Sequence, residues 1–565
     1  MGTPRASTKA VAEAAREFAV LVAPTLENIL VESEDYEDRV LSNADTVRDV
    51  CLDLALMAED LLSGGFLWRI IEDNNTRLLG SPLPLVVPFA GAGGVGAAGT
   101  ARALPAPDSG EAALDARRFQ FFLFTVFSYW VPSMHAFPDD EVFVDLAERA
   151  ARFFRRLRGR AVSSEAFLME PDNVPDAIDG AGVKRKLVWL GCESYLSDAA
   201  FRNYMARQTS EDTLDVAVMD DFLCQECTRW SGLGALEILA DALRLDGQDR
   251  ADLLGWDKRH AAVFRVESMA EFAHPGAPDV PAVLLALTNT VNRQRYETPM
   301  FMMTPSECPF KAGMFIFGML ARWRGVWRWT GAQEALPMKF DAAAFRREFI
   351  LTKPGVAYRY CPDLLAKARE SEAREREFFL RFYGNELVLH PDGLAMAAGE
   401  QRRMREACEA RAAELGVNAA KALKKHGNAS GRTNMPLPED LLGSKRPVAL
   451  FYAAGVGVEM AETFDAVLSG LRKTAFVEMS DEERDAVSGF VESNRLSPEF
   501  VRRVARDEGS DGIVGFYCGD ARGFDAATKQ KVVEYLLRRY KGERFRGRFP
   551  NVSVMPGESS EGLKA

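Results

Sequence analysis

Apolar residues recur at three- and four-residue intervals along most of this chain, the spacing that lines one face of an α-helix. Val11, Ala14, Phe18, Leu21 and Val22 mark a first helix, which Pro24 is expected to interrupt. Val47, Val50, Cys51, Leu54, Leu61 and Leu62 mark a second that stops at Gly64-Gly65, and residues 66–79 carry a third. Further helical stretches are expected over 119–131, 139–158, 187–243, 367–382 and 396–425. Another should start near Pro309 and run through the tryptophans at 323, 327 and 329. Ser480, followed three residues later by Glu483, reads as a capping box, and Ser497-Pro498 reads as a cap with proline in the first turn. Strand-like runs are few, 448–451 and 513–517 being the best. The expected fold is mainly α, a multi-domain helical protein with few short strands.

Breaks in the pattern suggest the division. An N-terminal helical region (1–79) precedes a Gly/Ala/Pro-rich flexible loop (80–113). A central helical domain (114–428) and a linker (429–446) lead to a C-terminal, mostly helical domain (447–549) and a disordered tail (550–565). No repeat of fixed period is present.

Composition narrows the class. A chain of 565 residues is too long for one compact core, and 47% hydrophobic with 27% charged residues is ordinary for a soluble protein. The longest apolar runs, 119–131 and 314–320, are too short to cross a bilayer. Eight scattered cysteines without a secretory leader point to reduced thiols in a cytosolic or nuclear compartment.

Motifs for chemistry mostly fail on context. Gly91, Gly93 and Gly96 have dinucleotide-binding spacing, but Pro82, Pro84 and Pro88 break the strand that should precede them. Cys224 and Cys227 have metal-clip spacing, with Cys192 and His260 as conceivable further ligands, but no second tight pair accompanies them. Residues 507–518 resemble a calcium loop at Asp507, Asp511 and Gly512, yet Cys518 stands where the glutamate belongs. With five histidines and no recognised nucleophile motif, no catalytic residue, metal site, cofactor or small-molecule substrate is expected.

Three segments interleave arginine with aromatic residues against a net charge of −12: 152–160, 322–329 and 538–549. Guanidinium groups beside flat rings suit phosphates and stacked bases, or a protein interface. The first closes a helix, where its arginines complement the dipole. On a helix the second would put Ile316, Leu320, Trp323 and Trp327 on one face, with Arg324 and Arg328 along its margin. In the third, Gly542 and Gly547 would break the helix and leave a flexible basic strip. The candidate contacts to nucleic acid or a partner are therefore Arg324, Arg328, Arg538, Arg539, Lys541, Arg544, Phe545, Arg546, Arg548 and Phe549.

The run Phe451-Tyr452-Ala453-Ala454-Gly455-Val456-Gly457-Val458-Glu459-Met460 resembles the Tyr-Ala-Met-Gly-Val-Gly-Val-x-Leu stretch of paramyxovirus-type nucleoproteins, with Ala454 in place of the methionine. In that family the stretch lies in a helical C-terminal lobe near the RNA groove. The resemblance implies a structural, self-assembling protein, a viral capsid or nucleocapsid subunit that binds RNA as a homo-oligomer, in the virion or host cytoplasm. The alternatives are a cytosolic helical scaffold for other proteins and an enzyme with a nucleotide site at residues 91–96.

Overall fold

The computed structural model describes residues 9–31, 43–87, 89, 104–107, 110–131, 135–208, 215–337, 339–414, 416, 439–546 and 548–552. Residues 90–103 of the glycine-rich loop, including 91–96, residues 429–438 of the linker and residues 553–565 of the tail lie outside the described residues. The protein is mainly α-helical, 58% helix against 14% strand, so its strands matter by where they sit. The chain divides into two compact units, Met1–Arg346 with Phe524–Glu543, and Arg347–Gly523 with Arg544–Ala565.

The first unit begins with twelve helices among the described residues: α1 (Lys9–Val31), α2 (Asn43–Leu62), α3 (Phe66–Leu79), α4 (Ala116–Trp130), α5 (Glu141–Phe153), α6 (Ser164–Leu168), α7 (Val174–Asp179), α8 (Ala181–Glu193), α9 (Asp198–Gln208), α10 (Asp215–Gln225), α11 (Ala235–Ala242) and α12 (Gly247–Leu254). The first helix continues through Pro24 rather than ending there. Its outer side carries Val20, 77% exposed, so water can satisfy a carbonyl that loses its helical partner to proline. The core of these helices is aromatic. Trp230 meets Trp68 edge-on at 5.6 Å and stacks on Phe122 at 6.0 Å. Both indole N–H groups are satisfied inside, Trp68 donating to Glu72 and Trp230 to the Leu196 carbonyl. Arg118, wholly buried, donates through Nε to Glu72 Oε1 at 2.7 Å and through Nη1 to the Ala113 carbonyl at 3.0 Å.

The stretch expected to be helical after residue 259 instead forms a six-stranded antiparallel sheet of β1 (His260–His274), β2 (Ala277–Asn289), β3 (Arg295–Phe301), β4 (Phe315–Trp323), β5 (Val326–Trp329) and β6 (Glu334–Leu336). Trp323 pairs with Val326, so Arg324-Gly325 is a two-residue hairpin turn with φ of 47° and 86°, the left-handed pair a type I′ turn requires. Trp327 follows Trp323 by four positions, which fits a helix face, but along β4 burial alternates from Phe315 to Leu320 as a strand dictates. The sheet order is β3-β2-β1-β4-β5, with β6 also on β4. Its ends curl together without hydrogen bonding, β3 lying beside β5 with Tyr296 and Trp327 rings 4.9 Å apart. The result is a partly open five-stranded barrel of cyclic order 1-2-3-5-4, filled by Phe264, Tyr296 and Trp329. The helix Ala526–Tyr540 completes this unit.

In the second unit the three-stranded sheet β7 (Leu387–His390), β8 (Val448–Ala453) and β9 (Gly457–Ala461) has β8 at its centre. Every residue of β8 is buried. One side of it packs with Phe379 and Met396, and Phe451 stacks on Phe500 at 4.7 Å. The segment that resembles the nucleoprotein stretch is thus the β8–β9 hairpin and not part of a helical region. The run 513–517, expected as a strand, lies inside the helix Asp511–Cys518, because a five-residue apolar run buried on all sides reads alike in either state. Both expected caps are present, Ser480 with Glu483 as a reciprocal box and Ser497 accepting from the Phe500 amide.

Arg118→Ala would leave the Glu72 carboxylate buried without its countercharge. Urea denaturation should show a loss of about 3–5 kcal/mol, whereas an exposed arginine such as Arg155 changed to alanine should shift the midpoint within about 0.5 kcal/mol.

Candidate functional site

The third arginine segment is not a flexible strip. Gly542 and Gly232 pack so closely that a Cβ on Gly542 would stand 2.9 Å from Gly232 Cα and from Cys227 Cβ, so glycine serves close approach here rather than freedom. Residues Gly542–Phe545 form a 3-10 turn, and Gly547 lies outside the described residues. Lys541 is wholly buried and Arg539 is 3% exposed. The Arg539 guanidinium donates to the Phe124 carbonyl, Ser128 Oγ, Thr125 Oγ1 and Tyr535 Oη at 3.1–3.3 Å, with its plane 4.3 Å from the Phe124 ring. Arg538 presents its carbonyl to Gly232. In the other unit, Arg544 donates to the Asn494 carbonyl at 2.6 Å and Arg548 pairs with Glu499. Arg502 covers the Phe545 ring, Phe549 lies 6.2 Å from Tyr358, and Arg546 is partly buried.

The second segment is largely structural too. Arg324 at the hairpin turn is exposed but forks onto Asp249 at 2.5–3.1 Å, while its amide donates to Asp252. Arg328 is partly buried, its Nε donating to the Trp329 carbonyl and its plane 5.7 Å from the Trp256 ring. Burial lowers its pKa despite the opposing charge of Asp179.

The first segment is the one that faces water. At the end of α5 and through the following 3-10 turn, Phe154 and Leu157 are buried, and Phe153 and Phe154 lie 5.0 and 4.9 Å from Phe18. This aromatic anchor holds Arg152, Arg155, Arg156, Arg158 and Arg160 outward, all exposed. Arg156 stacks on Phe153 at 3.8 Å and pairs with Glu17 at 2.6 Å, a contact exposed to solvent and correspondingly weak. Arg152 donates only to the Glu148 carbonyl, and the Arg155 and Arg160 side chains have no partner among the described residues. The signal was visible in the sequence. Attributing it to helix-dipole complementation overlooked that five guanidinium groups exceed what one helix end needs.

A cavity of about 260 Å³ lies in the same unit, among α2, α8, α9 and the starts of α3 and α6. Four carboxylates line it, Asp53, Glu59, Glu193 and Asp198, with Arg202 as its one guanidinium. Arg202 is held by Asp198 at 2.7 Å and by Asp49. Glu59 accepts from the Val162 amide at 3.1 Å. Asp60, near the end of α2, caps α3 through the Trp68 amide and accepts from Tyr195 Oη at 2.7 Å. Asp53 differs from its neighbours. It is 3% exposed, and its Oδ2 has no hydrogen-bond partner among the described residues. Burial, reinforced by the Asp198 charge, pushes its pKa well above the usual carboxylate range. Asp198 is raised also, by burial, with the Arg202 guanidinium beside it opposing the shift. Burial pushes the Cys192 thiol in the cavity wall up to about 12, which leaves it unreactive. Histidine and cysteine spacing does not lead to this site. Its trace is acidic residues at 49, 53 and 60 beside the apolar stripe of α2.

Among the described residues no group of three or more His, Cys, Asp or Glu side chains is placed to hold a metal ion, and Cys224 and Cys227 are not joined in a disulfide. No helix among them is long and apolar enough to cross a membrane. No protein-family model, curated protein or solved structure matches this chain.

A folded-state pKa raised above the unfolded value means that stability is full at low pH and is lost as pH rises through the folded pKa. Asp53→Asn removes that loss. It should raise the urea midpoint at neutral pH, because the amide has no proton to lose. The gain should fade as pH falls toward about 4, where the unfolded carboxyl also holds its proton. Urea midpoints of both proteins across pH check this.

Proposed function

We propose that this chain is a structural protein that binds single-stranded RNA. The observation that carries the reading is the exposed turn with Arg152, Arg155, Arg156, Arg158 and Arg160, five guanidinium groups within nine residues of a chain whose net charge is −12. Such local concentration against an acidic background suits a polyphosphate backbone, since each neutralised phosphate releases counterions.

The barrel supports a single strand over a duplex. Its cyclic strand order is that of the five-stranded barrels that bind oligonucleotides and oligosaccharides over the face of their second and third strands. On the outer side of β1, β2 and β3, Arg265, Thr288 and Arg295 stand in one cross-strand row. Phe272, Ala282 and Phe301 form another, with the His274 ring 5.9 and 5.8 Å from the two phenyl rings. Rings and guanidinium groups on one face suit stacked bases and their phosphates.

Anisotropy titrations with fluorescent oligouridylate over a salt series test this reading. Replacing the five arginines with glutamine should reduce the slope of log K against log salt by about 0.7 for each phosphate that is no longer neutralised. An unchanged slope and affinity in a folded variant would sink the proposal and leave the turn as a protein-docking surface. Phe272→Ala with Phe301→Ala should weaken binding by about 1–3 kcal/mol per base stacked, with the slope preserved.

A further inference from the structure

We infer that the cavity beside Asp53 is a binding site for a small organic cation, a compound with a primary ammonium or guanidinium group on a short carbon chain. This stands apart from the RNA reading and uses none of its residues.

The argument starts from what the other polar groups already do. The lining guanidinium, Arg202, is held between Asp49 and Asp198, so it is not available to an anion. Glu59 is engaged by the Val162 amide. That leaves Asp53, nine-tenths and more buried, with an oxygen that no donor of the described residues reaches. A bound ammonium or guanidinium group would offset the burial that holds the Asp53 proton on, so that the carboxyl ionises on binding and its bare oxygen accepts from a group that brings several N–H donors and no acceptors. Asp198 and Glu193 on the same wall reinforce the preference for positive charge.

The rest of the lining decides between a metal and an organic cation. The carboxylates do not converge, and no set of three potential ligands is placed around a common centre among the described residues. Beside them stand Leu52, Leu56 and Leu67, with the Trp189 indole. That apolar half would cover a carbon chain, and an indole face attracts an adjacent cation. The volume, about 260 Å³, is smaller than the roughly 300 Å³ at which pockets for drug-sized ligands begin. The occupant is therefore a small molecule rather than a peptide or a nucleotide.

Isothermal titration of the full chain with 1,4-diaminobutane, and with the neutral 1,4-butanediol as its isostere, tests the inference. Saturable binding of the diamine and none of the diol is expected. Asp53→Asn should weaken the diamine by about tenfold or more, and Leu56→Trp, which fills the cavity from its apolar side, should abolish binding by a route that leaves Asp53 in place. The variant with five arginines changed to glutamine should bind the diamine as the wild type does, so that failure of the RNA reading leaves this one intact. No saturable heat with the diamine, equal binding of the diol, or unchanged affinity in a folded Asp53→Asn protein would each overturn it.

Discussion

A guanidinium group taken out of water must find acceptors for five N–H donors, and in the first unit that requirement ties distant helices together. Arg118 on α4 reaches Glu72 on α3 and the Ala113 carbonyl, and Glu72 in turn takes the Trp68 indole proton at the centre of the aromatic core. Arg539 has no carboxylate partner among the described residues, and its two Nη groups are solvated by a carbonyl and three hydroxyls under the face of Phe124. The cost of burying such a group fixes how α4 meets the helix Ala526–Tyr540, because moving either helix would strand a charge in the interior.

The same requirement sorts the arginines of an acidic chain into those buried within it and those exposed on its surface. By residue type the three arginine–aromatic segments are alike. What separates them is the neighbour each side chain finds. Arg539 and Lys541 are buried, Arg324 is held by Asp249, and Arg548 by Glu499. At 152–160 the phenyl rings turn inward onto Phe18 and all five arginines turn outward. Gly542 marks a close backbone approach and not a hinge.

Helices were the legible part of the fold. Long stretches such as α2 and α4 show their apolar stripe over several turns, and the Ser480 and Ser497 caps depend on groups within four residues of each other. The barrel was not legible. Residues in 315–329 fit a four-residue spacing as well as an alternating one, and only pairing with β1 and the left-handed Arg324-Gly325 turn selects the strand. The cavity left even less trace, since a carboxylate beside an apolar stripe is usually solvated, and Asp53 becomes exceptional only where α8 and α9 close over it.

The sequence alone determined the mainly helical character of the chain, its helix caps and the unusual concentration of arginine and aromatic residues in three places, because these depend on composition and on spacing within a few turns. Tertiary structure decided the rest. Whether an arginine contacts water or a carbonyl, whether a tryptophan run is strand or helix, and whether an aspartate keeps its proton all depend on groups brought close from far along the chain. Hydrogen bonding and desolvation act over a few ångströms of space, and local sequence does not specify which residues will occupy that space.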